Sequence, residues 1–244
     1  MGSIFYYPHY ALAILPQMVS SANISVKVRI KRSQGWQDYS VVLPASAYVL
    51  DALEEIGKSD PSLLFRHACH HASCGSCGLR ANGRERLACV TPLAELARPN
   101  RPVRLEPLRN FSIIGDLLVD FGPFMAKLDN IDMPPVRQTE TQPVDGLGYT
   151  RFENCIECGL CVSACPIAGS DPQYAGPAAL AAVWRSFEEP RQPDVPGLLH
   201  LVDGEHGAWR CHAAFECTDV CPANVDPAGA IMSLRRWLVA RKAR

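Results

Sequence analysis

The 244-residue chain lacks any run approaching the roughly 18–20 apolar residues that a helix needs to cross a bilayer. The apolar stretch near its start, YALAIL (Tyr10–Leu15), is short and stands between Pro8 and Pro16. No Lys or Arg precedes Lys27, so the positive segment of a signal peptide is missing, and residues 1–21 read as an N-terminal extension. There is no basic excess either. With 24 Lys and Arg against 25 Asp and Glu, the net charge of −1 excludes a protein built to neutralise nucleic-acid phosphates. Dinucleotide fingerprints, low-complexity tracts and clustered arginines with a catalytic carboxylate are also absent, so chemistry on an organic substrate is not expected on this chain.

What the chain does have is cysteine. Eleven cysteines fall into three tight groups, 69/74/77/89, 155/158/161/165 and 211/217/221. A secreted disulfide framework would scatter them through a shorter chain. Cysteines this close in sequence share a metal more readily than they bridge each other, which implies a reducing compartment.

Composition changes near residue 110. ISVKVRI (Ile24–Ile30) alternates polar and apolar residues, and YSVVL (Tyr39–Leu43) follows Ser33-Gln34-Gly35, which predicts a hairpin. Tyr48 to Gly57 reads as a helix with Val49, Leu50, Leu53 and Ile56 on one face and Gly57 closing it. CGLRA before the Asn82-Gly83 turn signal and VRLEPL (Val103–Leu108) predict returning strands. After residue 110 strands are expected to cease. Phe111 to Leu128 carries a helical apolar pattern broken at Gly122-Pro123, and Met133–Val144 reads as a Pro-rich linker. Two further helices are predicted, one from Gly176-Pro177 to about Glu189 and one from Asp226-Pro227 to the basic C-terminus. The fold class is therefore α+β: residues 22–110 form a mixed domain and residues 111–244 a helical one.

The spacing Cys69-x4-Cys74-x2-Cys77-x11-Cys89 fits a plant-type [2Fe–2S] centre, with three thiolates on one wrapped loop and the fourth on a separate turn. Gly75 and Gly78 are expected to let the loop turn tightly and free its N–H groups. Zinc, the alternative, uses paired C-x2-C or Cys/His sets, and a zinc-stabilised docking protein would be colourless. His67, His70 and His71 crowd the same loop and read as a polar rim. CIECGLCVSACP (Cys155–Pro166) is a complete C-x2-C-x2-C-x3-C-P run, whose fourth cysteine serves the other cluster in two-cluster proteins. By reciprocity Cys155, Cys158, Cys161 and Cys221 hold one [4Fe–4S] cluster. Cys165, Cys211 and Cys217 remain, with Ala214 where a fourth cysteine would stand, and three thiolates specify [3Fe–4S].

This order of runs, ending in C-x5-C-x3-C-P, resembles the iron–sulfur subunit of succinate dehydrogenases and fumarate reductases. CGSCGLRANGRERLAC is similar to that family's second to fourth ligand segment. The resemblance implies an N-terminal β-grasp plant-type ferredoxin domain followed by an all-α ferredoxin-like domain. It also implies an electron relay in the tricarboxylic acid cycle, from the FAD of a flavoprotein subunit through [2Fe–2S], [4Fe–4S] and [3Fe–4S] to quinone. A membrane anchor would then hold the subunit on the cytoplasmic face of the cell membrane. His212, beside Cys211, matches a position that lines the quinone site in many relatives. Two departures stand out. CHHASC carries His70 and Ala72 where the family has C-R-x-G-x-C, and CPIAGSDPQYAGPAAL lacks the tryptophan of ubiquinone-type members. The same machine run backwards, a quinol:fumarate reductase, fits the sequence too. Arg235, Arg236, Arg241, Lys242 and Arg244 on the last helix are expected to face lipid headgroups or plain solvent.

Overall fold

A computed structural model of the chain describes residues 22–129, 131, 154–188 and 196–242. The N-terminal extension and the Pro-rich linker lie outside the described residues. The first domain begins with strands β1 (Asn23–Arg32) and β2 (Gly35–Pro44), paired antiparallel from Asn23↔Pro44 to Arg32↔Gly35. Alternation in β1 does what period two requires: Val26, Val28 and Ile30 are buried, while Lys27 and Arg29 face solvent. Full burial of Ile30 contributes roughly 1.5–3 kcal/mol.

Helix α1 (Val49–Ser59) packs Val49, Leu50, Leu53 and Ile56 into the same core. Its first turn is closed by Asp51, whose carboxylate accepts the Tyr48 N–H at 2.7 Å. The helix runs through Gly57, two residues beyond the expected stop. A glycine inside a helix costs only about 1 kcal/mol, and the end is set instead by Asp60. That side chain is held by Arg32 and by the Tyr39 hydroxyl, each at 2.7 Å.

Strands β3 (Gly78–Ala81) and β4 (Arg84–Leu87) meet at Asn82-Gly83, both at positive φ (49° and 85°) as such a hairpin turn demands. After the short helix α2 (Leu93–Leu96), strand β5 (Val103–Glu106) enters parallel to β1 and antiparallel to β3. The sheet order is β2-β1-β5-β3-β4, a mixed sheet with α1 laid across it.

Strands do not cease at residue 110. A hairpin of β6 (Ile113–Gly115) and β7 (Leu118–Val119) follows, and Leu117 and Val119 bury into the first core. The apolar residues that suggested a helix at 111–121 instead serve this hairpin and a packed trio of rings, Phe111, Phe121 and Phe124. The helix starts only at Gly122, as α3 (Gly122–Asp129).

Among the described residues the remainder is helical: α4 (Leu160–Ala164), α5 (Pro177–Glu188), α6 (Pro196–Asp203), α7 (Glu216–Asp219) and α8 (Pro227–Lys242). Helix α5 begins at Pro177, as expected from proline's fixed φ and missing N–H. The start of α8 is closed by Asp226, which accepts the Gly229 N–H at 2.9 Å. Leu180 and Val183 of α5 meet Ile231, Leu234 and Leu238 of α8 in a second core with Tyr174, Val202 and Ala208. No described helix is long and apolar enough to cross a membrane.

Candidate metal centres

The first cysteine loop wraps because its backbone alternates hand. His70, Ala72 and Gly75 take φ of 62°, 61° and 69°, which turns successive N–H groups inward. The amides of Ser73 and Cys74 each point at Cys69 Sγ at 3.3 Å, and the Ala72 amide reaches Cys89 Sγ at 3.3 Å. Cys89 comes from the tight turn Ala88–Val90, and the Ala88 N–H donates to the Cys77 carbonyl at 3.1 Å. The first group thus gathers in two pairs, the Cys74 side chain beside Cys69 and that of Cys77 beside Cys89. Their surroundings differ: the amide of His71 and then Ser73 pull the Cys69 thiol down to about 5, while burial pushes Cys77 up to about 12. Inward N–H donors on one side and a dry wall on the other suit an anionic thiolate-ligated cluster.

Gly78 has a different task from the one its sequence suggests. It has no positive φ, but an added Cβ would lie 3.2 Å from Leu160 Cδ2 and 3.3 Å from the Cys158 carbonyl. Gly75 is tighter still, with Cys158 Cβ at 2.8 Å. These two glycines let the first loop close directly onto the second cysteine group.

The second and third groups interleave. One cavity is walled by Cys155, Cys158, Cys161 and Cys221, with Pro222 and Val225 beside them. Burial raises Cys158 to about 11, with Cys155 and Cys221 next among the causes. Cys165, Cys211 and Cys217 form the other set: burial pushes Cys217 up to about 12, and its neighbours Cys165 and Cys211 push in the same direction.

The two runs repeat one backbone. Gly159 (φ 73°, ψ −1°) opens α4, and Phe215 (φ 62°, ψ −1°) opens α7 in the same left-handed turn. Glu157 and Ala213 match as well, at 53° and 55°. Ala214 thus occupies in the third group the place of Cys158 in the second. Cys158 is buried, whereas Ala214 is exposed.

Several polar residues that no spacing rule flags hold these loops. Asp171 accepts from His206 Nδ1 at 2.9 Å and Arg210 Nε at 3.0 Å, fastening the turn after Cys165 to the segment before Cys211. Asn110 Nδ2 donates to the carbonyls of Val162 and Cys165, both at 2.8 Å, capping the end of α4. Ser163 is fully buried; its hydroxyl donates to Glu85 Oε1 at 2.8 Å and accepts the Arg109 N–H at 2.9 Å. Glu85 lies in β4, so this pair seals the helical part to the sheet.

The residues between 24 and 126 match the 2Fe-2S iron-sulfur cluster binding domain family, and residues 151–225 match the 4Fe-4S dicluster domain family. A fumarate reductase iron-sulfur subunit from Mycobacterium tuberculosis is 41% identical over 212 residues, 83% of this chain and 85% of the relative. A succinate dehydrogenase iron-sulfur subunit from Coxiella burnetii is 32% identical over 82% of this chain and 88% of its own. The Mycobacterium smegmatis Sdh1 complex in its apo form contains a chain that superimposes with a TM-score of 0.78 at 25% identity, over 91% of this chain and 99% of that one. The chain belongs to the iron–sulfur subunits of succinate dehydrogenases and fumarate reductases.

In this subunit His212 is exposed beside Cys211, and Trp209 and Phe215 are exposed on either side of it in sequence. Arg235 of α8 does not reach outward as expected. Its guanidinium donates to the carbonyls of Ala208 (2.9 Å), Trp209 (3.0 Å) and Cys211, bracing the third cysteine group from behind. Lys242 is likewise engaged, with Asp203 at 2.9 Å. Arg236 and Arg241 remain exposed, and Arg244 lies outside the described residues.

Proposed function

We propose that this subunit passes electrons between the FAD of a flavoprotein partner and quinone at a membrane anchor, in a succinate:quinone oxidoreductase. Cys69, Cys74, Cys77 and Cys89 hold [2Fe–2S]; Cys155, Cys158, Cys161 and Cys221 hold [4Fe–4S]; Cys165, Cys211 and Cys217 hold [3Fe–4S]. The groups when bound supply reversible one-electron chemistry. The chain's own residues set the order: Gly75 brings the first loop onto Cys158, and Cys221 crosses from the third run to complete the second set. That crossing is the observation that carries the reading, since it makes one wall from residues far apart in sequence.

Exposed His212, Trp209 and Phe215 mark the face for quinone and anchor, which would place the subunit peripherally on the cytoplasmic side of the cell membrane. Succinate oxidation is the direction proposed. Fumarate reduction is the second reading, favoured by the name of the 41%-identical relative. Purification of the native complex, with redox-titrated EPR, identification of its bound quinone and rates in both directions, tests the whole assignment. Three EPR-distinct centres and faster succinate oxidation are expected. A colourless, zinc-containing protein would overturn the reading.

A further inference from the structure

Glu54, His67 and His70 stand outside the eleven-cysteine scheme and form a constellation of their own. His67 Nδ1 and His70 Nε2 lie 3.2 Å apart, and Glu54 Oε1 is 3.6 Å from the first and 3.4 Å from the second. A tetrahedral ion with nitrogen and oxygen ligands at about 2.0–2.2 Å holds those atoms roughly 3.3–3.5 Å apart, so the three atoms already stand on the face of such a tetrahedron. An octahedral ion with ligands at the same distance would bring them to roughly 3.0 Å, closer than they stand.

The ligands are also held. The His67 ring stacks on Phe65 at 5.2 Å and 18°, and Phe65 packs on the first core. His70 is fixed by its left-handed backbone at φ 62°, and Glu54 is fixed on helix α1. His71 takes no part, because its ring is turned to the Cys69 carbonyl and to the Ser73 hydroxyl. His67 Nδ1, His70 Nε2 and a Glu54 carboxylate oxygen are each able to ligate a cation, and all three lie within 4.8 Å of one another. The side chains are one-third to one-half exposed, leaving an open fourth position for water.

We propose that Glu54, His67 and His70 form a binding site for a divalent transition-metal ion of the zinc class, tying helix α1 to the loop that carries Cys69. His70 supplies one ligand at the very position where the family pattern has arginine, so the site distinguishes this chain within its family.

The test uses the assembled, cluster-filled complex, prepared without a polyhistidine tag so that no free thiols or added histidines compete. Titration with Co2+ should fill one site with the visible absorption of a tetrahedral ion, and Zn2+ should displace it. His67→Ala and His70→Arg should each weaken binding at least tenfold, since even outer-shell changes cost metal sites 10–100-fold. The [2Fe–2S] EPR signal of each variant reports whether the loop has survived. Should a loop variant lose that signal, Glu54→Gln on α1 decides the matter in its place. Co2+ binding absent from the parent complex, or equal in parent and Glu54→Gln, would show that a proton alone joins these groups and would overturn the site.

A separate observation concerns Tyr174. The residue is 1% exposed, and its hydroxyl makes no close hydrogen bond among the described residues but faces the Cys211 side chain, with Cys165 and Cys217 nearby. It packs in one apolar cluster with Cys165 and Cys211. A buried phenol left without an acceptor costs about 1–3 kcal/mol, and the acceptors this hydroxyl faces are sulfur. We infer that Tyr174 donates to the sulfur of whatever Cys165, Cys211 and Cys217 bind, an inference that rests on the cluster reading above. Donors to sulfur favour the reduced form, so Tyr174→Phe should lower the midpoint potential of that centre while its EPR amplitude is retained. An unchanged potential in a complex whose three-iron signal is intact overturns the role of Tyr174. Absence of that signal from the parent complex would overturn the cluster reading itself.

Discussion

Gly75 of the first cysteine loop lies against Cys158 of the second group, so closely that a methyl group there would stand 2.8 Å from Cys158 Cβ and 2.8 Å from the Ile156 carbonyl. Its φ of 69° adds a second objection to any side chain. Gly75→Ala should therefore destabilise the subunit by more than about 2 kcal/mol, from left-handed strain and overlap with atoms that cannot move aside. Thermal unfolding of the assembled complex measures this, and an unshifted transition would show that the two loops are not locked together.

Ala214 repeats the backbone place of Cys158, with Phe215 following it as Gly159 follows Cys158. Ala214→Cys supplies a soft ligand at a geometry the chain already builds. The oxidised three-iron EPR signal is expected to fall as a four-iron centre of lower potential appears, with slower quinone reduction. An identical oxidised spectrum in the assembled variant would separate cluster type from this position.

Ser163→Ala leaves the Arg109 N–H without its acceptor and removes one donor from buried Glu85. The expected cost is about 1–3 kcal/mol, read as a lower urea midpoint for the subunit. A change within about 0.5 kcal/mol, the range of an ordinary surface substitution, would remove this pair from the seam between sheet and helices.

Asp171 is held down to about 2 by the hydrogen bond from His206 and then that from Arg210. Its native-state value is depressed, so the unfolded chain binds a proton first as pH falls. The stabilisation is complete above about pH 4, the ordinary carboxylate value, and is lost as pH drops toward 2. Asp171→Asn should thus lower thermal stability at pH 5, by a difference that narrows below pH 4. A difference that grows between pH 4 and pH 2 would reverse this sign and refute the assignment.

His212→Ala should slow quinone reduction far more than transfer to an artificial acceptor that takes electrons at the flavin. Equal loss in both assays would indicate a damaged cluster or a general folding defect rather than a contact with quinone.

The two iron–sulfur domain families were legible in the cysteines because cluster ligation constrains spacing itself, and spacing survives in a linear string. The strands Asn23–Arg32 and Gly35–Pro44 were legible for a similar reason, since one face of each is buried and the period shows. Segment 111–121 was misread because its aromatic residues pack as a ring trio and a hairpin, and neither has a period. Gly57 looked like a helix stop, yet the stop is fixed by Asp60 through Arg32, a contact between distant residues that no local pattern records. The same holds for Asp171 with His206 and for Ser163 with Glu85. The left-handed turns at His70 and Ala72 explain why the family prefers glycine at the second of them, a preference visible in sequence only as a departure.

The exchange of Cys221 into the second set also bears on how the protein is made. All four thiols of the first group have emerged once Cys89 has, and the central strand β5 that completes their sheet follows by Glu106; N-terminal domains can fold during synthesis. In the assignment proposed above, neither of the other two sites is complete until nearly the whole chain exists, because the second waits for Cys221 and the third for Cys217. The ligands proposed for the first centre are thus complete well before those proposed for the other two, which are completed only four residues apart. A truncation before α7 would remove Cys217 and Cys221 together, and with them one ligand from each of the two later sets.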